Sequence, residues 1–357
     1  MRRMKKLVLM LLLSPLACCA AANAHNWVVQ TTGVTSNLRG LSAAPNSDPS
    51  AGSAVWASGS DGVILKSVDA GKNWKQVHVD GGETLDFRGI RAFNEKAAYV
   101  ISSGEGAKSC IYKTTDGGET WEMQYTDKRP AFFLDDIVCF TETQCFALGD
   151  PIDGKFLILS TEDGKSWHEI PRTRMPEIIT GEGAFAASGT SLAIYGTKDI
   201  YFGTGGGATA RVFHSPDLGR TWTVADTPLA AGNASSGVFS IVRVKNTVIA
   251  VGGDYRVTGG TSRVAASSSD GGVTWKSALV QPSGYRSAVT SVNGSTLVCV
   301  GPNGEDVSDD LGASWTRTDA INLNTVIVLD ANHSWAAGAR GTIAFGIFIQ
   351  FDTQKIE

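Results

Sequence analysis

The chain is poor in the residues that most often carry chemistry. Of 357 residues, five are histidine and six are cysteine. No C-x-x-C pair occurs, so no metal-ligand spacing emerges, and neither a metal nor a cofactor is expected. Charged residues make up only 18%, with a net charge of −4; an acidic balance argues against non-specific nucleic-acid binding. No segment reaches the roughly 18 consecutive apolar residues that a membrane-spanning helix needs. Proline is sparse at 11 residues, whereas glycine reaches 41, a composition of many tight turns rather than long helices. Hydrophobic residues at 42% can build a core. The length alone allows one large or two ordinary domains, a choice that repeats can override.

The N-terminus reads as a signal peptide over residues 1–24. Arg2, Arg3, Lys5 and Lys6 precede the apolar stretch Leu7 to Leu13, and Ala22-Asn23-Ala24 forms an A-x-A cleavage site before His25. The expectation is a periplasmic or secreted protein, with residues 25–357 as one domain. Lipoprotein processing at Cys18 or Cys19 is the alternative, on an imperfect lipobox. Cleavage removes four basic residues and no acidic ones, which leaves 27 basic against 35 acidic, or −8. Cys139 and Cys145 flank Phe140 to Gln144 and would face each other across a hairpin turning at Thr141 to Thr143. They are either a disulfide, as an oxidising compartment favours, or two buried thiols.

Internal repetition is the strongest signal. The pattern S/T-x-D-x-G-x-x-W runs from Ser67 through Asp69 to Trp74, from Thr114 through Asp116 to Trp121, and from Ser215 through Asp217 to Trp222. It returns from Ser268 through Asp270 to Trp275 and from Ser308 through Asp310 to Trp315. A sixth copy starts at Ser160, carries Glu162 where aspartate is expected, and ends at Trp167. The pattern describes a turn. Short polar side chains hold nearby N–H groups, glycine takes positive φ, and the tryptophan opens the next strand and buries its ring.

A strand-like run precedes each copy, such as Val63 to Lys66 or Cys110 to Lys113, and a further pair lies upstream. The unit is four strands per roughly 47 residues, the size of a propeller blade. The ends complete the count. Asn324 to Val328, Ser334 to Ala337 and Gly341 to Phe345 read as three strands without a fourth, and Trp27 to Gln30 as a fourth without its three. Pairing them closes the ring and protects its edges. The expected fold is therefore an all-β propeller of seven four-stranded blades, within a range of six to eight.

These repeats resemble the Asp-box (BNR) repeats of sialidases, sortilin-type receptors and the photosystem II stability/assembly factor family. The last is the nearest in Leu38-Arg39-Gly40-Leu41, Phe87-Arg88-Gly89-Ile90, Gly149-Asp150-Pro151, Gly252-Gly253-Asp254-Tyr255 and Gly284-Tyr285-Arg286-Ser287. The resemblance implies a non-catalytic propeller that assists the assembly of a membrane protein. The glycines from Gly203 to Gly207 precede no helix, so they are no dinucleotide fingerprint.

Propeller ligands sit at the channel mouth, on residues that start each innermost strand. Aligning the blades there brings together Arg39, Arg88, Asp135, Glu182, Phe239, Arg286 and Asn324, with Asp136 adjacent and Asp150 and the loop Asp254-Tyr255-Arg256 near the same face. The candidate ligand-binding set is Arg39, Arg88, Asp135, Asp136, Glu182, Asp254, Tyr255 and Arg286. Its arginines suit a protein partner or an anionic small ligand or glycan. Arg–Asp pairs that only brace the ring are the bland alternative. The rival function is a sialidase-like glycoside hydrolase, with Tyr255 activated by Glu182 as nucleophile, Asp135 as acid/base and the arginines on a substrate carboxylate. The sialidase Arg-Ile-Pro signature is absent. Trp56, Trp335 and the repeat tryptophans are expected in the core, His168 and His214 in structural roles, and the protein as a monomer.

Overall fold

A computed structural model describes residues 25–47, 52–330 and 332–348. The expected signal peptide, with Cys18 and Cys19, lies outside the described residues. Twenty-eight strands make seven antiparallel sheets of four, and the only helical pieces among the described residues are 3-10 turns at Gly106–Lys108 and Arg172–Arg174. No described helix is long and apolar enough to cross a membrane. This is the seven-bladed propeller that the repeat spacing implies.

The innermost strands are β2 (Leu38–Pro45), β6 (Phe87–Ala92), β10 (Leu134–Cys139), β14 (Leu192–Tyr195), β18 (Ser236–Val244), β22 (Ala288–Ser291) and β26 (Thr325–Asp330). The seventh blade is mixed. Strand β1 (His25–Gln30) pairs antiparallel with β28 (Ile343–Phe348), outside β27 (His333–Ala337) and β26. The first strand of the described chain thus covers the edge that the last would expose. Trp27 lies opposite Gly346, and its indole Nε1 donates to Glu305 of the sixth blade at 2.7 Å.

The core lies between blades. Trp56, on the second strand of the first blade, is fully buried and meets Trp121 of the second blade edge-on at 6.2 Å. Tyr99 of the second blade meets Trp167 of the third in the same way at 5.7 Å. Trp335 is fully buried, as are Phe156, Phe202 and Phe213. Removing such a ring typically costs about 3–5 kcal/mol, because the surrounding sheets cannot collapse to fill the gap. His214 stacks on Tyr201 and bonds Asp199, and His168 bonds Ser160, so both serve the sheet.

The repeat turns explain their own sequence. In the fourth blade the Ser215 hydroxyl donates to Asp217 and accepts from the Gly219 N–H at 2.8 Å. Asp217 accepts from both the N–H and the hydroxyl of Thr221. The same net joins Thr114, Asp116, Gly118 and Thr120, and likewise Ser268, Asp270, Gly272 and Thr274. The glycine is required by its φ of 84° to 97° in all five regular copies. The sixth copy departs from the sequence expectation. Its turn runs from Thr161 through Asp163, not from Ser160 through Glu162, and is one residue shorter. Asp163 accepts from Thr161, Lys165 and Ser166, while Thr161 accepts from Gly164.

Candidate functional site at the channel mouth

Register places the mouth and the repeat turns on opposite faces. Leu38, at the start of β2, lies opposite Gly59, whereas Ala43 near its end lies opposite Val55, which in turn faces Ser67 of the first turn. The inner strands therefore begin at one face, and the turns close the other.

Four inner strands begin with a bulge. The pairing of β2 skips Arg39, that of β6 skips Arg88, that of β10 skips Asp135 and that of β18 skips Phe239. A bulge leaves one residue out of the ladder and re-aims its side chain. All four line one pocket of about 550 Å³, together with Asp150, Phe185, Tyr255, Tyr285 and Asn324. The volume falls within the range of about 300–1,000 Å³ usual for small-ligand sites.

The fourth blade does something different. Its chain from Gly183 to Gly189 crosses the channel before β14 begins. Arg39 donates to the Ala187 carbonyl at 3.3 Å, Arg88 to that of Ala186 at 3.4 Å, and Arg91 to that of Gly189 at 2.6 Å. From the other side, the Ser188 hydroxyl donates to the Ser287 carbonyl at 2.7 Å. This crossing floors the mouth pocket. Beyond it, an apolar cavity of about 310 Å³ is lined by Leu41, Ile194, Ile241, Val289 and Val326. The glycines allow the close approach: Gly183 bridges Gly205, which bridges Gly237 of the next blade. A Cβ on Gly205 would stand 2.3 Å from the Ser236 carbonyl. The run from Gly203 to Gly207 thus belongs to a backbone contact.

Of the eight candidate ligand residues, Arg39, Arg88, Asp135 and Tyr255 share the pocket; Asp136, Glu182, Asp254 and Arg286 do not line it. Glu182 is buried in an ion pair with Arg211, and also accepts from Thr204 and the Ile179 N–H. Arg286 is wholly buried against Asp306, with further bonds to Asn303, Ser283 and the Tyr285 carbonyl. These pairs brace the fourth and sixth blades. Asp136 accepts from the Leu192 and Ile137 N–H groups and stands 3.7 Å from Arg91, so it ties β10 to the start of β14. Asp254 is fixed in its own loop by the Arg256 N–H and Asn233. Tyr255 and Glu182 make no contact, so the nucleophile–base pair of the hydrolase reading does not form. Cys139 and Cys145 stand opposite each other and are joined as a disulfide.

The pocket has a polar and an apolar wall. Arg88 is held by Asp86 at 2.7 Å. Burial, and then the neighbouring Arg88 charge, pull the Arg39 guanidinium below its usual pKa. Burial also pushes Asp135 well above the ordinary carboxylate value, with Asp150 and Asp136 adding repulsion against the pull of Arg88. Asp150 is raised by burial too, although it accepts from the Ala184 N–H at 3.0 Å. Of the apolar wall, sequence reasoning placed Phe239 at the mouth but missed Phe185 and Tyr285. Phe185 stacks on Phe239 at 3.9 Å, and Tyr285 meets Phe239 edge-on at 4.8 Å. The run Gly183-Ala-Phe-Ala-Ala-Ser-Gly189, small residues between glycines, was the available sign of a close backbone approach.

Solved propellers share this arrangement of blades. YCF48 bound to D1 peptide superposes with a TM-score of 0.63 at 13% identity, over 90% of this chain and 96% of that one. YCF48 from Cyanidioschyzon merolae gives 0.63 at 14%, over 90% and 98%. The likeness is one of fold. The extracellular domain of the B. thetaiotaomicron protein BT4673 gives 0.58 at 12% identity, over 89% of this chain and 39% of that one. No protein-family model matches the chain, and no curated protein matches it.

Proposed function

We propose that this protein is an exported, non-catalytic Asp-box propeller that binds an acidic group of a protein or peptide partner at its channel mouth. The observation that carries the reading is the convergence of Arg39 and Arg88, each re-aimed by a bulge, on one pocket with an aromatic wall. Guanidinium groups present planar donor arrays suited to carboxylates, and partial burial strengthens such contacts. A fold neighbour that is described as bound to a peptide fits this choice of ligand. For export, the reading rests on the signal pattern of residues 1–24, and the disulfide suits an oxidising compartment. Mass measurement of the secreted chain is expected to give an N-terminus at His25.

The binding test is a fluorescence-anisotropy titration of acidic peptides against wild type and the Arg39→Ala/Arg88→Ala double variant. The variant is expected to keep its fold and lose about tenfold or more in affinity, as two charge-assisted contacts would supply. Equal affinity in both proteins would overturn the reading. Turnover of any aryl glycoside or sialoside by purified wild type would overturn its non-catalytic part.

A further inference from the structure

Asp135 is the feature of the pocket that an anion site leaves unexplained. The residue is only 1% exposed, and its Oδ2 has no hydrogen-bond partner. Buried polar atoms are nearly always paired, so an orphan that lines a pocket asks for a ligand. Asp150 lines the same pocket and has only the Ala184 N–H on its Oδ1. Neither carboxylate is ion-paired with Arg39 or Arg88 among the described residues, although the Arg88 charge acts on Asp135 across the pocket. Two carboxylates fall short of the six or more oxygens a calcium ion takes. No group of three or more His, Cys, Asp and Glu stands together among the described residues. A positively charged group that donates several hydrogen bonds fits better. An ammonium has three donors and no acceptor.

We infer that the pocket takes a small zwitterion. Its ammonium lies between Asp135 and Asp150, its carboxylate on Arg39 and Arg88, and its apolar part on Phe185, Phe239 and Tyr285. This is the chemistry of a free amino acid or short peptide. The inference deepens the acidic-group reading and rests on it. Burial, and then the neighbouring Asp150 and Asp136 charges, push the Asp135 carboxyl above its ordinary value, and a ligand ammonium beside it would act against that shift.

The test is calorimetric titration with glycyl-phenylalanine and leucyl-phenylalanine, each in free, N-acetylated and C-amidated form. The free form is expected to bind about tenfold or more tighter than either capped form, the size of one lost charge-assisted contact. Asp135→Asn/Asp150→Asn is expected to bind free and acetylated forms equally, while still preferring a free carboxylate over an amide. A melting temperature no lower than that of wild type would show the variant folded, since Asp135 Oδ2 has no partner to lose and an amide oxygen at position 150 can still accept from the Ala184 N–H. If acetylation changes nothing while amidation weakens binding, the zwitterion fails and the acidic-group reading stands. If amidation changes nothing, both fail, and they fail together if no form binds at millimolar concentration.

Discussion

The two faces of the ring use aspartate in opposite ways. On the face of the repeat turns, Asp116 is exposed yet fully engaged, by the Thr120 hydroxyl and N–H and by the Thr114 hydroxyl. Those bonds hold its carboxyl below the usual range, and the same holds for Asp163 and Asp270 through their own turn partners. At the mouth, Asp135 is buried with an oxygen that nothing satisfies, and its carboxyl is pushed upward. The turns repeat because each must close a blade. The mouth does not repeat, and its bulged residues change from Arg39 and Arg88 to Asp135 and Phe239. Regularity in this molecule marks stability, and the break in regularity marks the place with unspent interactions.

That contrast can be broken at several points. The largest effect is expected at the buried partner of Arg286, the arginine that sequence reasoning took for part of the mouth. Asp306→Ala leaves the buried Arg286 without its countercharge in the sixth blade, and should cost about 3–5 kcal/mol in denaturant unfolding. A loss below about 1 kcal/mol, the scale of an exposed pair, would show that Arg286 reaches solvent. Next comes the turn itself. Ser215→Ala strands the buried Gly219 N–H, and should cost about 1–3 kcal/mol by the same measurement. No change would mean that the turns do not stabilise the ring.

The smallest effect has an unusual sign. The Asp135 pKa is raised in the folded protein, so its unfolded form loses its proton first. Its contribution is harmless below the unfolded value of about 4 and destabilises progressively as pH rises toward the folded value. Asp135→Asn should therefore be more stable than wild type at about pH 8, with the gain vanishing below about pH 4. The turn aspartates have depressed values, so they stabilise above about pH 4 and lose that contribution as pH falls through the folded value. An Asp135→Asn gain independent of pH would contradict the raised pKa.

Much of this was legible in the sequence, for local reasons. The turn pattern gave the blades because its hydrogen bonds span only a few residues, and the unpaired strands at both ends gave the closure. Arg39, Arg88, Asp135 and Phe239 could be aligned because their blades share one bulge. The alignment slipped where a distant partner decides the side chain. Glu182 turns to Arg211 and Arg286 to Asp306, each about 20 or more positions away. The shortened sixth turn hid Asp163 behind Glu162, since a spacing pattern does not see a one-residue deletion. The chain crossing the channel was invisible because its evidence is backbone contact among small residues, not side-chain chemistry.

The most direct test places both faces in one experiment: a carbon-detected titration of the aspartate carboxyls in the ligand-free protein. Asp116, Asp163 and Asp270 are expected to titrate below the ordinary carboxylate range, and Asp135 above it. Asp135 titrating with the turn aspartates would mean that its oxygens are already satisfied, and the mouth would hold no unmet demand for a ligand.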